Sequence, residues 1–248
     1  MANSGAVDKG RRTFLYIGGV AALAAFGPLR ALAGSSGATP MKIGVIGAGK
    51  IGGTVGTLWV KAGHEVLFSS RHPEQLQDLV NGLGPRAHAG TPRDAARFGD
   101  AVFLAVPYRA YPELGRELAP DLAGKVVLDA GNAVAARDGE ELAREARENG
   151  IGLTSAKYFP GTRLVRAFNT LGYGVLAGNA HREGGRIAIP LAGDDRQALE
   201  VASRLVRDAG FDPVAVGPLA SASTFQQGAP GYGQQVTAPE LRKRLGLP

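Results

Sequence analysis

The hydrophobic positions of the chain change period repeatedly, and the changes mark out its elements. Ile43 to Ile46 is a short continuous apolar run, the pattern of a strand covered on both faces. From Ile51 to about Ala62 the apolar residues Val55, Leu58, Trp59 and Ala62 recur at helical spacing, and Gly63 ends the run. Glu65 to Ser69 predicts a second strand. Pro73 to Leu83 predicts a helix facing inward through Leu76, Leu79, Val80 and Leu83. Arg86 to Ala89 reads as a short strand, and Thr91 caps a small helix with Pro92 at its first position. Ala101–Val106 and Lys125–Asp129 read as buried strands around a helix at Tyr111–Leu118. A charged helix at Glu140–Asn149 and a strand at Leu164–Phe168 follow.

Strands that alternate with helices through short connections predict an α/β fold with a doubly wound parallel sheet. Residues 41–170 form that unit. The alternation goes on with a strand at Arg186–Ala192, a helix at Asp194–Ala209 and a strand at Phe211–Val216. Gly217 to Gln235 reads as a Gly- and Gln-rich loop, and Thr237 with Glu240 makes a capping box for a terminal helix. Residues 171–248 are therefore expected to form a small C-terminal α/β lobe, either separate from the first unit or continuous with it.

Residues 1–33 follow another pattern. Arg11-Arg12-Thr13-Phe14-Leu15 precedes an apolar run to Phe26, and Ala31-Leu32-Ala33 offers a small-residue cleavage site. This predicts a twin-arginine signal peptide, export to the periplasm or beyond, and no stable membrane anchor after cleavage. Residues 34–40 are a small-residue linker. Translation from Met41 would instead give a cytoplasmic protein.

Between the first strand and helix lies Gly47-Ala48-Gly49-Lys50-Ile51-Gly52, the G-x-G-x-x-G of a Rossmann-type dinucleotide site. There Gly47 permits the tight turn, Gly49 lets the backbone approach a pyrophosphate, and Gly52 lets helix and strand pack closely. The second strand ends in Ser69-Ser70-Arg71-His72, with no acid to hold a ribose 2′-hydroxyl. A guanidinium beside two hydroxyls suits a 2′-phosphate, so NADP is expected over NAD. For His72, phosphate contact and capping of the next helix stay open.

Composition removes other chemistries. There are no cysteines, and the four histidines lack metal-ligand spacing, so no metal site is expected. Net charge is +6, and removing the first 33 residues leaves 24 basic against 21 acidic side chains. That excess is too small and too dispersed to suggest a nucleic-acid partner. No Ser-His-Asp order or paired carboxylates stand out.

The stretches KIGVIGAGKIGGTVG, SSR, FLAVP, LDAGN, VRAFNT, LAGDD and AGFDPVAVGPLASA together resemble the NADPH-dependent reductases of coenzyme F-420, a deazaflavin hydride carrier. The resemblance implies a Rossmann domain with a small C-terminal lobe and direct hydride transfer between nicotinamide and deazaflavin. It implies that Val106, Pro107 and Asn132 line the nicotinamide, and that Phe168, Asn169 and Thr170 stand at the hydride-transfer face, positioning rings without acid or base. On the residues alone, Phe168 equally reads as core, and Asn169 and Thr170 as helix caps. The expected partner is a small-molecule hydride acceptor; a homodimer is compatible with the sequence but not required by it. Reduction of a flavin, ferric chelate, carbonyl or imine, or non-catalytic NADP binding, are the alternatives.

Overall fold

The computed structural model describes residues 39–248. The twin-arginine motif, its cleavage site and most of the linker lie outside the described residues. The order is β1 (Lys42–Ile46), α1 (Lys50–Lys61), β2 (Glu65–Ser69), α2 (Gln77–Leu83), β3 (Ala87–Gly90), α3 (Pro92–Phe98), β4 (Ala101–Leu104), α4 (Tyr111–Leu122) and β5 (Val126–Asp129). Next come α5 (Ala135–Asp138), α6 (Glu140–Asn149), α7 (Ile151–Tyr158), β6 (Arg163–Arg166), α8 (Tyr173–Asn179), β7 (Ala188–Gly193), α9 (Arg196–Asp208), β8 (Asp212–Gly217) and α10 (Ala238–Arg244).

The eight strands form one sheet in the order β3-β2-β1-β4-β5-β6-β7-β8. Its first six strands are parallel, as alternating helices require. β7 runs antiparallel to β6, and β8 parallels β7. The doubly wound parallel sheet is as expected over its first six strands, and the antiparallel step falls where the C-terminal lobe begins. A parallel return needs a crossover that carries the chain back along the strands, usually in a helix. After β6 the chain makes only the seven-residue α8. That helix stays beside the start of α1, where the Lys50 ammonium stands 5.0 Å from the Tyr173 ring centroid. The chain thus re-enters the sheet from the edge where β6 left it.

Two apolar layers cover the sheet. On one, Trp59 of α1 packs edge-on against Phe103, and its indole N–H donates to the carbonyl of Leu205 in α9 at 2.8 Å. That bond satisfies the one polar atom of a fully buried ring. On the other layer Tyr108, Tyr111, Leu118 and Leu122 meet Ile151, Leu219 and Phe225. The stretch expected as a loop after Gly217 contains a 3₁₀ helix, Leu219–Phe225. Leu219, Ala222 and Phe225, three residues apart, are its buried side. Its polar residues bond locally: the hydroxyls of Ser223 and Thr224 donate to the carbonyls of Ala220 and Ser221.

Candidate functional site

The carboxyl ends of parallel strands gather several turns on one edge, the usual place for a ligand in such sheets. A cavity of about 1020 Å³ opens there, walled by Gly47–Gly49, Ser69–Arg71 and Ala105–Pro107 among others. Each glycine of the first turn has a visible cause. Gly47 has φ +99°, and a Cβ on it would stand 2.5 Å from Val106 Cγ1. A Cβ on Gly52 would meet the Gly47 carbonyl oxygen at 2.0 Å, and one on Gly56 the Phe68 ring at 2.3 Å. These two hold α1 tight against β1 and β2. Gly49 differs: a Cβ there meets no protein atom within 4 Å, so nothing in the protein demands glycine. It is also the N-cap of α1, without a side-chain cap or an acid in the first turn. The first amides of α1, from Lys50, Ile51 and Gly52, thus keep their donors and the helix its positive end for an anion.

The tip of β2 supplies the second anchor. The Ser69 hydroxyl is fully buried on the cavity wall and has no hydrogen-bond partner among the described residues. Ser70 Oγ accepts the amide of His72 at 3.1 Å, which fixes the turn. Arg71 lines the cavity, is exposed, and makes no ion pair among the described residues. An open backbone approach, an unpartnered hydroxyl and an unpaired guanidinium fit a phosphorylated dinucleotide. Gln75, Leu76, Thr91, Pro92, Arg93 and Arg109 also wall this cavity. They were not expected, because they come from separate elements that only the fold brings together.

Other expected residues lie elsewhere. The side chains of Lys50 and Ile51 turn away from the cavity, Lys50 to Tyr173 and Ile51 to the core. His72 is largely exposed and pairs with Glu74 at 3.3 Å; its side chain neither caps the following 3₁₀ helix nor lines the cavity. Asn132 lines a second, smaller cleft of about 340 Å³ with Ala133, Arg147 and Gln226. The Phe168 ring lies in the core, 5.9 Å from Trp59, 5.8 Å from Phe103 and 6.3 Å from Phe211. It therefore offers no ring surface at the cavity. What it shapes is the backbone, for Phe168 has φ +60°, a left-handed conformation costly for a side chain with a Cβ. Asn169 and Thr170 cap no helix. The Asn169 carbonyl accepts from Asn132 Nδ2 at 2.7 Å, the Asn169 side-chain Nδ2 donates to the Phe225 carbonyl at 3.2 Å, and Asn169 Oδ1 is buried without a partner among the described residues. The Thr170 carbonyl accepts from Gly233 N at 3.0 Å.

Beneath these turns lies a charged cluster that the sequence reading passed over. Asp129 and Arg166 are register partners on β5 and β6, and both are fully buried. Arg166 Nη1 donates to Asp129 Oδ2 at 2.5 Å, and Nη2 to the Gly131 carbonyl at 2.5 Å. Asp129 Oδ1 accepts from the Tyr111 hydroxyl at 2.5 Å and the Gly131 amide at 2.8 Å. Burial, and then the nearby Asp129 carboxylate, hold the Tyr111 hydroxyl well above its usual range, so it stays a donor. The available signal was two opposite charges inside apolar strands, in KVVLD and LVRAF.

Comparison with known proteins agrees with this geometry. Residues 42–133 match the family described as NADP oxidoreductase, coenzyme F420-dependent. The chain is 30% identical over 181 residues to metalloreductase STEAP3 of Rattus norvegicus, a match covering 73% of this chain and 35% of that protein. Metalloreductase STEAP2 of Mus musculus is 24% identical, with 36% of its length matched. The chain thus spans about a third of the curated relatives it matches. Among solved structures, the hypothetical protein SMa0349 from Sinorhizobium meliloti has a TM-score of 0.67 at 30% identity, covering 80% of this chain and 95% of that one. An imine reductase from Myxococcus stipitatus in complex with NADP+ shares the fold, with a TM-score of 0.53 at 20% identity over 75% of this chain and 57% of that one.

Proposed function

Given that the chain belongs, through residues 42–133, to the NADP oxidoreductase, coenzyme F420-dependent family, we propose that it passes hydride between NADP(H) and a deazaflavin-type acceptor. The carrying observation is the cavity in which the Gly47–Gly49 turn and the Ser69–Arg71 tip share one wall. In this reading the α1 amides take the pyrophosphate, Arg71 and Ser69 the 2′-phosphate end, and Val106 and Pro107 the approach to the nicotinamide. Bound NADPH supplies the hydride; the protein supplies orientation and exclusion of water. No proton moves at the reacting carbons; reduction of a deazaflavin ring also takes up one proton, at a ring nitrogen, from solvent. Asn132 and the Asn169–Thr170 backbone border the acceptor side.

A second acceptor class, a flavin or ferric chelate, is favoured by the likeness to metalloreductase STEAP3. One assay separates the two: loss of NADPH absorbance with coenzyme F-420, free flavin or ferric citrate added in turn. Turnover with the deazaflavin alone supports the first reading, and turnover with free flavin but not the deazaflavin, the flavin passing its two electrons singly to two ferric ions when ferric citrate is also present, supports the second. NADP that binds without any turnover would leave a non-catalytic nucleotide-binding protein.

A further inference from the structure

We propose that Asp129, Arg166 and Tyr111 are positioning residues for hydride transfer, acting through the Gly131–Asn132 turn; this rests on the NADP reading above. A buried ion pair is weak evidence for stability, because removing two charges from water offsets most of their attraction. Its use must be sought in what it holds. The two side chains grip one residue from both directions. Asp129 takes the Gly131 amide, and Arg166 donates to the Gly131 carbonyl. The grip leaves no room for a side chain, since a Cβ on Gly131 would meet the Tyr111 hydroxyl at 2.0 Å.

The next residue carries the position outward. Asn132 Nδ2 donates to the Asn169 carbonyl, and the Asn169 side chain donates to the Phe225 carbonyl. Arg137 Nη2 closes the other side on the Asn132 carbonyl at 2.6 Å. The turns after β5 and β6 and the 3₁₀ helix Leu219–Phe225 are therefore registered to one fully buried charge pair. β4 belongs to the same frame, because the Ala130 amide donates to the Leu104 carbonyl just before Val106 and Pro107. None of the three side chains walls either cleft. Their effect on a ring held at this edge runs through backbone placement.

Tyr111→Phe removes one hydroxyl and keeps the packed ring, while Asp129→Asn keeps the shape and removes the charge. Each variant is titrated with NADPH and with adenosine 2′,5′-bisphosphate, which lacks the nicotinamide half. Turnover is then measured at saturating NADPH with whichever acceptor the wild type reduces. The expected result is affinity for the bisphosphate within about two-fold of wild type, the scatter of independent sites. Turnover should fall roughly 10- to 100-fold, as a misplacement near 1 Å produces. The emission of bound reduced nicotinamide should shift toward that of free NADPH. Lowered thermal stability with unchanged turnover and emission would overturn the proposal, as would equal weakening of NADPH and bisphosphate. If Asp129→Asn does not fold, Tyr111→Phe carries the test alone. A wild type that binds no NADPH refutes the functional reading itself, before any variant is compared.

Discussion

Individual residues divide the cavity wall into positions that the protein's own packing fills and positions that it leaves open. Gly52 belongs to the first kind. Gly52→Val would force a Cβ to within 2.0 Å of the Gly47 carbonyl and should destabilise the fold by about 1–3 kcal/mol, read from denaturant unfolding. Gly49 belongs to the second. Its φ of −74° suits any residue and its Cβ position is open. Gly49→Val should therefore fold as the wild type does and lose NADP binding; calorimetry showing wild-type affinity would put the pyrophosphate elsewhere. Arg71 is the group proposed to read the 2′-phosphate, and no acid pairs with it among the described residues. Arg71→Ala should weaken NADPH roughly 10- to 100-fold, the loss of a charge-assisted contact, and leave NADH nearly unchanged. Equal losses for both cofactors would show that the guanidinium does not read the 2′-phosphate. That the glycine turn and the SSR tip would meet at one edge of the sheet was legible, because both follow from local backbone and strand patterns. Phe168 was not: an aromatic beside a turn looks the same in sequence whether it faces a ligand or Trp59.

Among the elements, those with strong periodicity came through nearly intact. α9 spans Arg196–Asp208 and buries Ala198, Ala202, Leu205 and Val206 on one side. The short α7 and α8 escaped notice, since glycines and mixed polarity break their apolar stripes. Strand direction in β7 was also invisible, because it depends on the path of the preceding connection rather than on the strand's own residues. Where elements meet, His64 offers a pH test. It is buried between the starts of β1 and β2 and the end of α9. Its Nδ1 accepts the Met41 amide at 3.1 Å, and its Nε2 bonds Asp208 at 3.0 Å, with Arg204 beside Asp208. Burial lowers its pKa despite the Asp208 bond. The unfolded chain then gains a proton below about pH 6.5 while the folded site resists it. Stability from this site is full above that pH and is lost as pH falls through the lowered value. Thermal midpoints should drop across that window, and His64→Gln should flatten the drop; parallel curves would remove His64 as the cause.

Over the whole molecule, the sheet carries two core layers and a small third cluster in which Leu241 of α10 packs on Ala188 and Val214. Leu241→Ala should cost about 2–5 kcal/mol by the usual cavity effect, yet leave NADPH affinity unchanged. A fall in affinity equal to that of Arg71→Ala would tie this outer corner to the nucleotide. The overall architecture was readable because alternation of strands and helices is a property of the entire chain. The full cavity wall was not, since Arg93, Arg109 and Gln75 meet only after the sheet is wound.

The polarity of β1 has a practical corollary. The turns that wall the cavity follow the carboxyl end of this strand, whereas Lys42 opens it at the opposite edge. Protein tethered to a sensor surface through a spacer joined just before residue 39 would therefore present its cleft outward. Nucleotide arriving from the flowing phase should meet such immobilised protein at the same association rate as it does in free solution.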